Sequence, residues 1–211
     1  MKTIQQMLDN DTGSLMVITL VLLMLLTIIG VAITTTTSIE LQIAANDRIH
    51  KTTFYAADGG TDLASELLEQ NLGCMGGFGS DDISTVTGEP YADIGDDAAT
   101  SIRVLDLTFW QNRNVTTPTD GNRDAVFPAT AETNSSIPHT NITAGYNPGF
   151  STGSAMQMVS GYEGKGKALA AGGAYLMYEI NSQHLGVANS ESIIQIRWRH
   201  AIGAEGACNY P

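Results

Sequence analysis

Between Ser14 and Thr37 the chain carries no charged position at all. Inside that stretch, Leu15–Ile33 runs for 19 residues interrupted only by Thr19, Thr27 and Gly30. A helix rises about 1.5 Å per residue, so these residues cover roughly 28 Å, the hydrocarbon thickness of a bilayer. A core helix of a small soluble domain would show a polar stripe, and none is present here. A removable secretion signal fits poorly. The leader holds Lys2 against Asp9 and Asp11, the apolar core is long, and Thr34–Thr37 offers no small-residue cleavage site. The pattern predicts a membrane-spanning helix that stays on the protein.

After Ser38 the pattern changes without stopping. Leu41, Ala45, Ile49, Ala56, Leu63 and Leu67 recur at helical spacing, with polar residues between them. The helix is expected to continue to Leu72 and to stop at Gly73. Thr34–Thr37 and Gly59–Gly60 are its weak points. Gly73–Ala99 reads as a loop. Strands are expected over Arg103–Trp110, Ala155–Glu163, Ala174–Asn181 and Glu191–Ile202. In the last of these, Ile194, Ile196, Trp198, His200 and Ile202 alternate with Gln195, Arg197 and Arg199, the period of a sheet with one wet face. Asn112–Ser154 reads as a long polar excursion and Gly164–Gly173 as a hairpin connection. The expected fold is α+β: one long N-terminal helix, transmembrane and then amphipathic, packed on an antiparallel sheet of about four strands. The expected segments are a leader (1–13), a membrane helix (14–37), its amphipathic continuation (38–73) and a β domain (74–211).

Composition narrows the function. The chain has 211 residues and a net charge of −12, with ten Lys and Arg against 22 Asp and Glu. Duplex nucleic-acid binding needs a basic surface, so no nucleic-acid partner is expected. The two cysteines, Cys74 and Cys208, both follow the apolar segment. An even pair framing a domain suits a disulfide in an oxidising compartment, with two buried thiols as the alternative. A disulfide would place the β domain outside the cytoplasm, an orientation that the charges flanking the apolar segment leave undecided.

No nucleophile motif, phosphate loop or metal-type histidine spacing stands out, so no enzyme activity and no catalytic residue are expected. His200 sits in a strand pattern and reads as a packed histidine or one paired with a carboxylate. Hard oxygen ligands for calcium are offered by Asp81, Asp82, Asp93, Asp96 and Asp97, and by Asp120, Asn122 and Asp124. The second set has the Asp-x-Asn-x-Asp rhythm of half an EF-hand loop. It lacks the sixth-position glycine (Ala125) and the twelfth-position glutamate (Ala131), and solvated loops are the plainer reading. Asn114, Asn134 and Asn141 stand in glycosylation sequons.

The N-terminal third resembles the PilX-type pilus assembly proteins, a class of type IV minor pilins. The resemblance rests on Gly13-Ser14, on Leu22–Gly30 with its LTxxG, on Glu40, Ala44, Asn46 and Arg48, and on Phe54-Tyr55-Ala56-Ala57-Asp58. It implies a prepilin: a prepilin peptidase would remove the leader after Gly13 and leave Ser14 as the mature N-terminus. It also implies an inner-membrane precursor with a periplasmic β domain, which then enters a cell-surface filament and meets other pilins through its N-terminal helix. Major pilins carry glutamate at the fifth mature position, where this chain has Ile18. PilX-type proteins are similar in lacking it. A buried glutamate can pair with the amine of the subunit ahead, and a subunit at the tip has none, so a neutral Ile18 suits a tip or priming subunit. The function expected is that of a structural minor pilin in assembly, priming or capping. The alternative is a single-pass anchored extracytoplasmic module binding calcium or glycan outside any filament.

Overall fold

The computed structural model describes residues 11–74, 76–150, 174–201 and 206–208. The helix α1 (Asp11–Gly73) is continuous over 63 residues, through both the threonine run and the glycine pair. It contributes to two compact units, Met1–Arg48 and Ile49–Pro211. In the first unit every described side chain from Leu15 to Arg48 is exposed.

In the second unit α1 is amphipathic. Its buried residues are Thr53, Ala57, Gly60, Thr61, Ala64, Leu67, Leu68, Asn71 and Leu72. The buried face therefore centres on Ala57, Ala64 and Leu68, one position beyond Ala56 and Leu63, which are only half-buried. Small residues on this face let the helix lie close to the sheet. At Gly60 a Cβ would stand 2.6 Å from Thr140 Cγ2 and would also collide with the Ser182 hydroxyl. Gly60 is thus a point of close approach and not a weakness. Gly73 serves a similar end, because a Cβ there would lie 2.9 Å from the Gly206 carbonyl oxygen.

The sheet is an antiparallel meander in chain order. Its strands are β1 (Asp82–Ile83), β2 (Pro90–Ile94), β3 (Ile102–Val104), β4 (Ala125–Phe127), β5 (His139–Phe150), β6 (Ala174–Leu185) and β7 (Glu191–Ala201). Seven strands replace the four expected. The first two fall within the expected 73–99 loop, and β4 and β5 lie in the expected polar excursion. The expected strand at Arg103–Trp110 shrinks to β3. Beyond it, Asp106 Oδ1 accepts a hydrogen bond from Thr108 N at 3.0 Å, and Phe109–Gln111 forms a 3-10 turn. This side-chain turn diverts the backbone despite the alternation of Leu105, Leu107 and Phe109. The expected strand Ala155–Glu163 and the hairpin Gly164–Gly173 lie outside the described residues.

One face of β5–β7 packs on α1. Ile142 and Ala144 of β5 and Tyr178 and Ile180 of β6 join Ala64, Leu67, Leu68 and Leu72 in a single core, with Ile196 and Trp198 of β7 against it. The opposite face of β5 is crossed by a strap, residues 112–118. Thr143 Oγ1 and Asn181 Nδ2 both donate to the Thr116 carbonyl, at 2.6 and 3.2 Å. Gly145 lets the strap through, since a Cβ there would stand 2.7 Å from Val115 Cγ2. Cys74 and Cys208 form a disulfide across 134 positions of sequence. In the chain-entropy model, closing so long a loop contributes about 5 kcal/mol.

Candidate functional site

The exposed apolar surface of α1 is the most distinctive chemical feature of the first unit. Leu15, Met16, Val17 and Ile18 open a run in which the large hydrophobic side chains out to Ile33 stay about half or more exposed. The polar side chains in this run are satisfied within the helix. Thr19 Oγ1 donates to the Met16 carbonyl at 2.9 Å and Thr27 Oγ1 to the Met24 carbonyl at 2.7 Å. Thr34, Thr35, Thr36 and Thr37 each donate back to a carbonyl three or four residues earlier. Backbone and hydroxyl groups need no water here, as an apolar environment demands. The helix is long and apolar enough to cross a membrane, which is compatible with anchoring. Gly30 meets nothing within 4 Å, so one point of the helix surface can be approached closely. Gly13 and Ser14 lie in the backbone of α1.

Elsewhere the carboxylates have work inside the fold. Asp120 Oδ1 lies 2.7 Å from His139 Nε2, accepts from Asn141 Nδ2 at 2.9 Å and stands 3.7 Å from Arg123. Burial works against its ionisation, but the hydrogen bonds from His139 and Asn141 and the nearby positive charges prevail, holding its pKa below the ordinary value. Asp124 points elsewhere: Oδ2 accepts from Ala144 N at 2.8 Å and Oδ1 from Asn112 Nδ2 at 3.2 Å. Burial, opposed by the Ala144 hydrogen bond and reinforced by the Asp106 charge, pushes its pKa up to about 6. Asn122 Nδ2 donates to Thr116 Oγ1 at 2.7 Å. The calcium candidates Asp120, Asn122 and Asp124 are therefore drawn to different partners. Among the described residues no group of three or more His, Cys, Asp or Glu has metal-holding geometry.

Of the other acidic candidates, Asp81, Asp82, Asp93 and Asp97 are similarly engaged, and Asp96 is exposed. Asp81 Oδ2 accepts from Asp93 N, and Asp82 and Asp97 accept from nearby backbone amides. Asp93 holds Arg103 with two hydrogen bonds, of 2.7 and 2.6 Å. Of the sequon asparagines, Asn114 and Asn134 are exposed, whereas Asn141 is fully buried and bonded to Arg123, Asp120 and Gln183. His200 stacks on Trp198 and approaches Glu69 at 3.6 Å, the packed and paired role expected of it.

The two short motifs downstream of the apolar run, Glu40–Arg48 and Phe54–Asp58, lie on the same unbroken α1. Phe54 and Tyr55 form an edge-to-face pair with ring centroids 5.7 Å apart, both largely exposed. Residues 13–62 match the PilX N-terminal family model. The matched segment begins at Gly13, spans the whole apolar run and ends two residues past Gly60. The N-terminal part of the chain is thus similar to the PilX family, which suggests a pilus-related protein. Neither the curated proteins nor the solved structures give a match. The PilX N-terminal match lies wholly within α1 and does not reach the sheet.

The outer face of that sheet carries a cleft that no pattern along the chain marks. It occupies about 580 Å³ between the strap and β7. Arg113 and Asn114 form one wall, Arg197 the other, and Met177 and Glu179 the floor. The sequence holds only a hint of it in the scarcity of cations, since beyond Cys74 only Arg103, Arg113, Arg123, Lys165, Lys167, Arg197 and Arg199 carry fixed positive charge, and no spacing joins Arg113 to Arg197.

Proposed function

We propose that the chain is a structural minor pilin that takes part in assembling, priming or capping a type IV pilus-like filament, and that it is not an enzyme. The observation that carries this reading is the PilX N-terminal match on a helix whose apolar run is exposed and internally satisfied. Such a helix suits a bilayer before assembly and a bundle of neighbouring pilin helices afterwards. In this reading a prepilin peptidase cuts after Gly13 and Ser14 becomes the mature N-terminus. The β domain lies on the extracytoplasmic side of the inner membrane, a placement supported by the Cys74–Cys208 disulfide. Partners are other pilins, met through α1. Ile18 supports a place at the tip or in priming, where no subunit ahead offers an amine to a glutamate.

Mass spectrometry of the N-terminal peptide, from membranes and from filaments sheared off cells, tests the reading. The expected result is a chain beginning at Ser14, with or without a methylated amine, present in the sheared fraction. A processed chain confined to membranes would restrict the role to priming. A chain still beginning at Met1 would overturn the pilin reading and leave a single-pass anchored module.

A further inference from the structure

The cations of the β domain are unevenly placed. Arg103 is half-buried and paired with Asp93 and Glu132, and the Arg123 side chain is enclosed beside Asn141 and Asp120. The other described arginines of this domain, Arg113, Arg197 and Arg199, all stand in or beside the cleft between the strap and β7. Two are held by aromatic rings: Arg113 lies over Tyr146 at 5.6 Å and Arg199 over Tyr175 at 4.9 Å. A guanidinium resting on a ring keeps its edge free and already oriented for a carboxylate. Arg197 is 77 % exposed and only 4.0 Å from Glu179, a loose pair that leaves its donors available. In a chain of net charge −12, this concentration makes the cleft a local positive feature.

The floor tells what kind of anion fits. Glu179 lies among the arginines, fixed by a hydrogen bond from Gln195. A carboxylate there works against multiply charged anions such as phosphate, sulfate or a run of acidic residues, and far less against a single carboxylate that the arginines can pair. It is, however, a strong acceptor for hydroxyl groups, and Asn114 and Asn147 add amide donors and acceptors beside it. Met177, Val115 and Pro148 supply apolar patches between the polar groups. One anionic group surrounded by hydroxyls on an otherwise apolar ring is the chemistry of an acidic sugar. The volume of about 580 Å³ lies within the ordinary range for small-ligand sites. We propose that this cleft binds a carbohydrate carrying a carboxylate, with Arg113 and Arg197 reading the carboxylate and Glu179 the hydroxyls. The strap fixes the cleft's width, since Gly145 admits Val115 directly against β5.

The test is titration calorimetry on the full-length chain in detergent micelles, with methyl galacturonoside, a sugar carrying a single carboxylate, as the probe. Its methyl ester, triglutamate and sulfate are the comparisons. The expected result is saturable binding of methyl galacturonoside that weakens at least tenfold for the methyl ester and for triglutamate. Arg113→Gln and Arg197→Gln, both at exposed positions that leave the core untouched, are each expected to weaken it at least tenfold. Lys51→Gln, on α1, is expected to leave it unchanged. Absence of saturable binding overturns the proposal. So does equal binding of triglutamate, which would mark an acidic-peptide site, and so does full affinity in both arginine variants. None of these outcomes depends on leader processing or on entry into a filament.

Discussion

Gly60 of α1 and Ser182 of β6 are so close that any side chain on the glycine would strike the serine hydroxyl. Its neighbour Gly59 meets nothing within 4 Å. Two adjacent glycines in one helix therefore have opposite meanings. Gly60→Ala should destabilise the β domain by about 1–3 kcal/mol through overpacking. Gly59→Ala should stabilise it by roughly 0.5–1 kcal/mol, because alanine favours the helix and has room. Thermal unfolding followed by circular dichroism reads both. A lower midpoint for Gly59→Ala would contradict the open space beside Gly59. Adding Ser182→Ala to Gly60→Ala should recover part of the loss.

The Cys74–Cys208 bond encloses most of the β domain. Cys74→Ser and Cys208→Ser should each cost about 5 kcal/mol, and the double variant no more than either single one. Urea unfolding of the three variants checks this. A double variant with twice the loss would mean that each cysteine contributes separately, and not through a shared bond.

Arg103 connects three elements. It pairs with Asp93, bonds Glu132 at 2.6 Å and lies over the Tyr91 ring at 4.0 Å. The Glu132 side chain is 1 % exposed and also takes the Ser84 hydroxyl. Arg103→Met leaves that carboxylate buried without its cation, at an expected cost of about 3–5 kcal/mol. Glu132→Gln in the same background should recover a substantial part, because the unpaired charge is gone. Denaturant midpoints of the single and double variants decide; an equal or greater loss in the double variant would rule out charge burial as the cause.

Asp124 makes stability depend on pH in an unusual direction. Its folded pKa is raised from 3.8 to about 6, so the native state prefers the protonated form. The stabilisation is fully present below the unfolded pKa and is lost as pH rises through about 6. From this group alone the fold should gain up to roughly 3 kcal/mol between pH 7 and pH 4. Asp120 acts oppositely: its folded pKa is lowered, so its contribution is lost as pH falls through that value. Comparing Asp124→Asn with the parent chain from pH 4 to 7 isolates the first effect. The variant should lose the part of the profile that falls with rising pH; identical profiles would show that Asp124 does not carry it.

What the sequence revealed depended on where water is. β7 was legible because its outer residues Gln195, Arg197 and Arg199 are wet and its inner residues are apolar. β5 was illegible because both of its faces are covered. The strap lies over Thr143 and Gly145 while α1 packs beneath Ile142 and Ala144, so buried polar residues such as Asn141 and Thr143 hid the period of two. The apolar run announced itself, as did the helix that follows it, though its buried stripe lay one residue away from the one the spacing favoured. The cleft was unreadable because Arg113, Glu179 and Arg197 are brought together only by the fold. Asp120, Asn122 and Asp124 resemble part of a ligand set in sequence because spacing alone does not show that their side chains turn to different partners.

The disulfide also has a mechanical meaning. α1 ends at Gly73, and the next residue is bonded to Cys208. A pull transmitted along α1 into the β domain would divide at Cys74 and enter the ring by two covalent routes, one towards β1 and the other backwards from the C-terminus towards β7. A load applied anywhere between residues 75 and 207 would be shared by both arms. Even a fully unravelled sheet could pay out only about half the length of an open chain before the tether became taut.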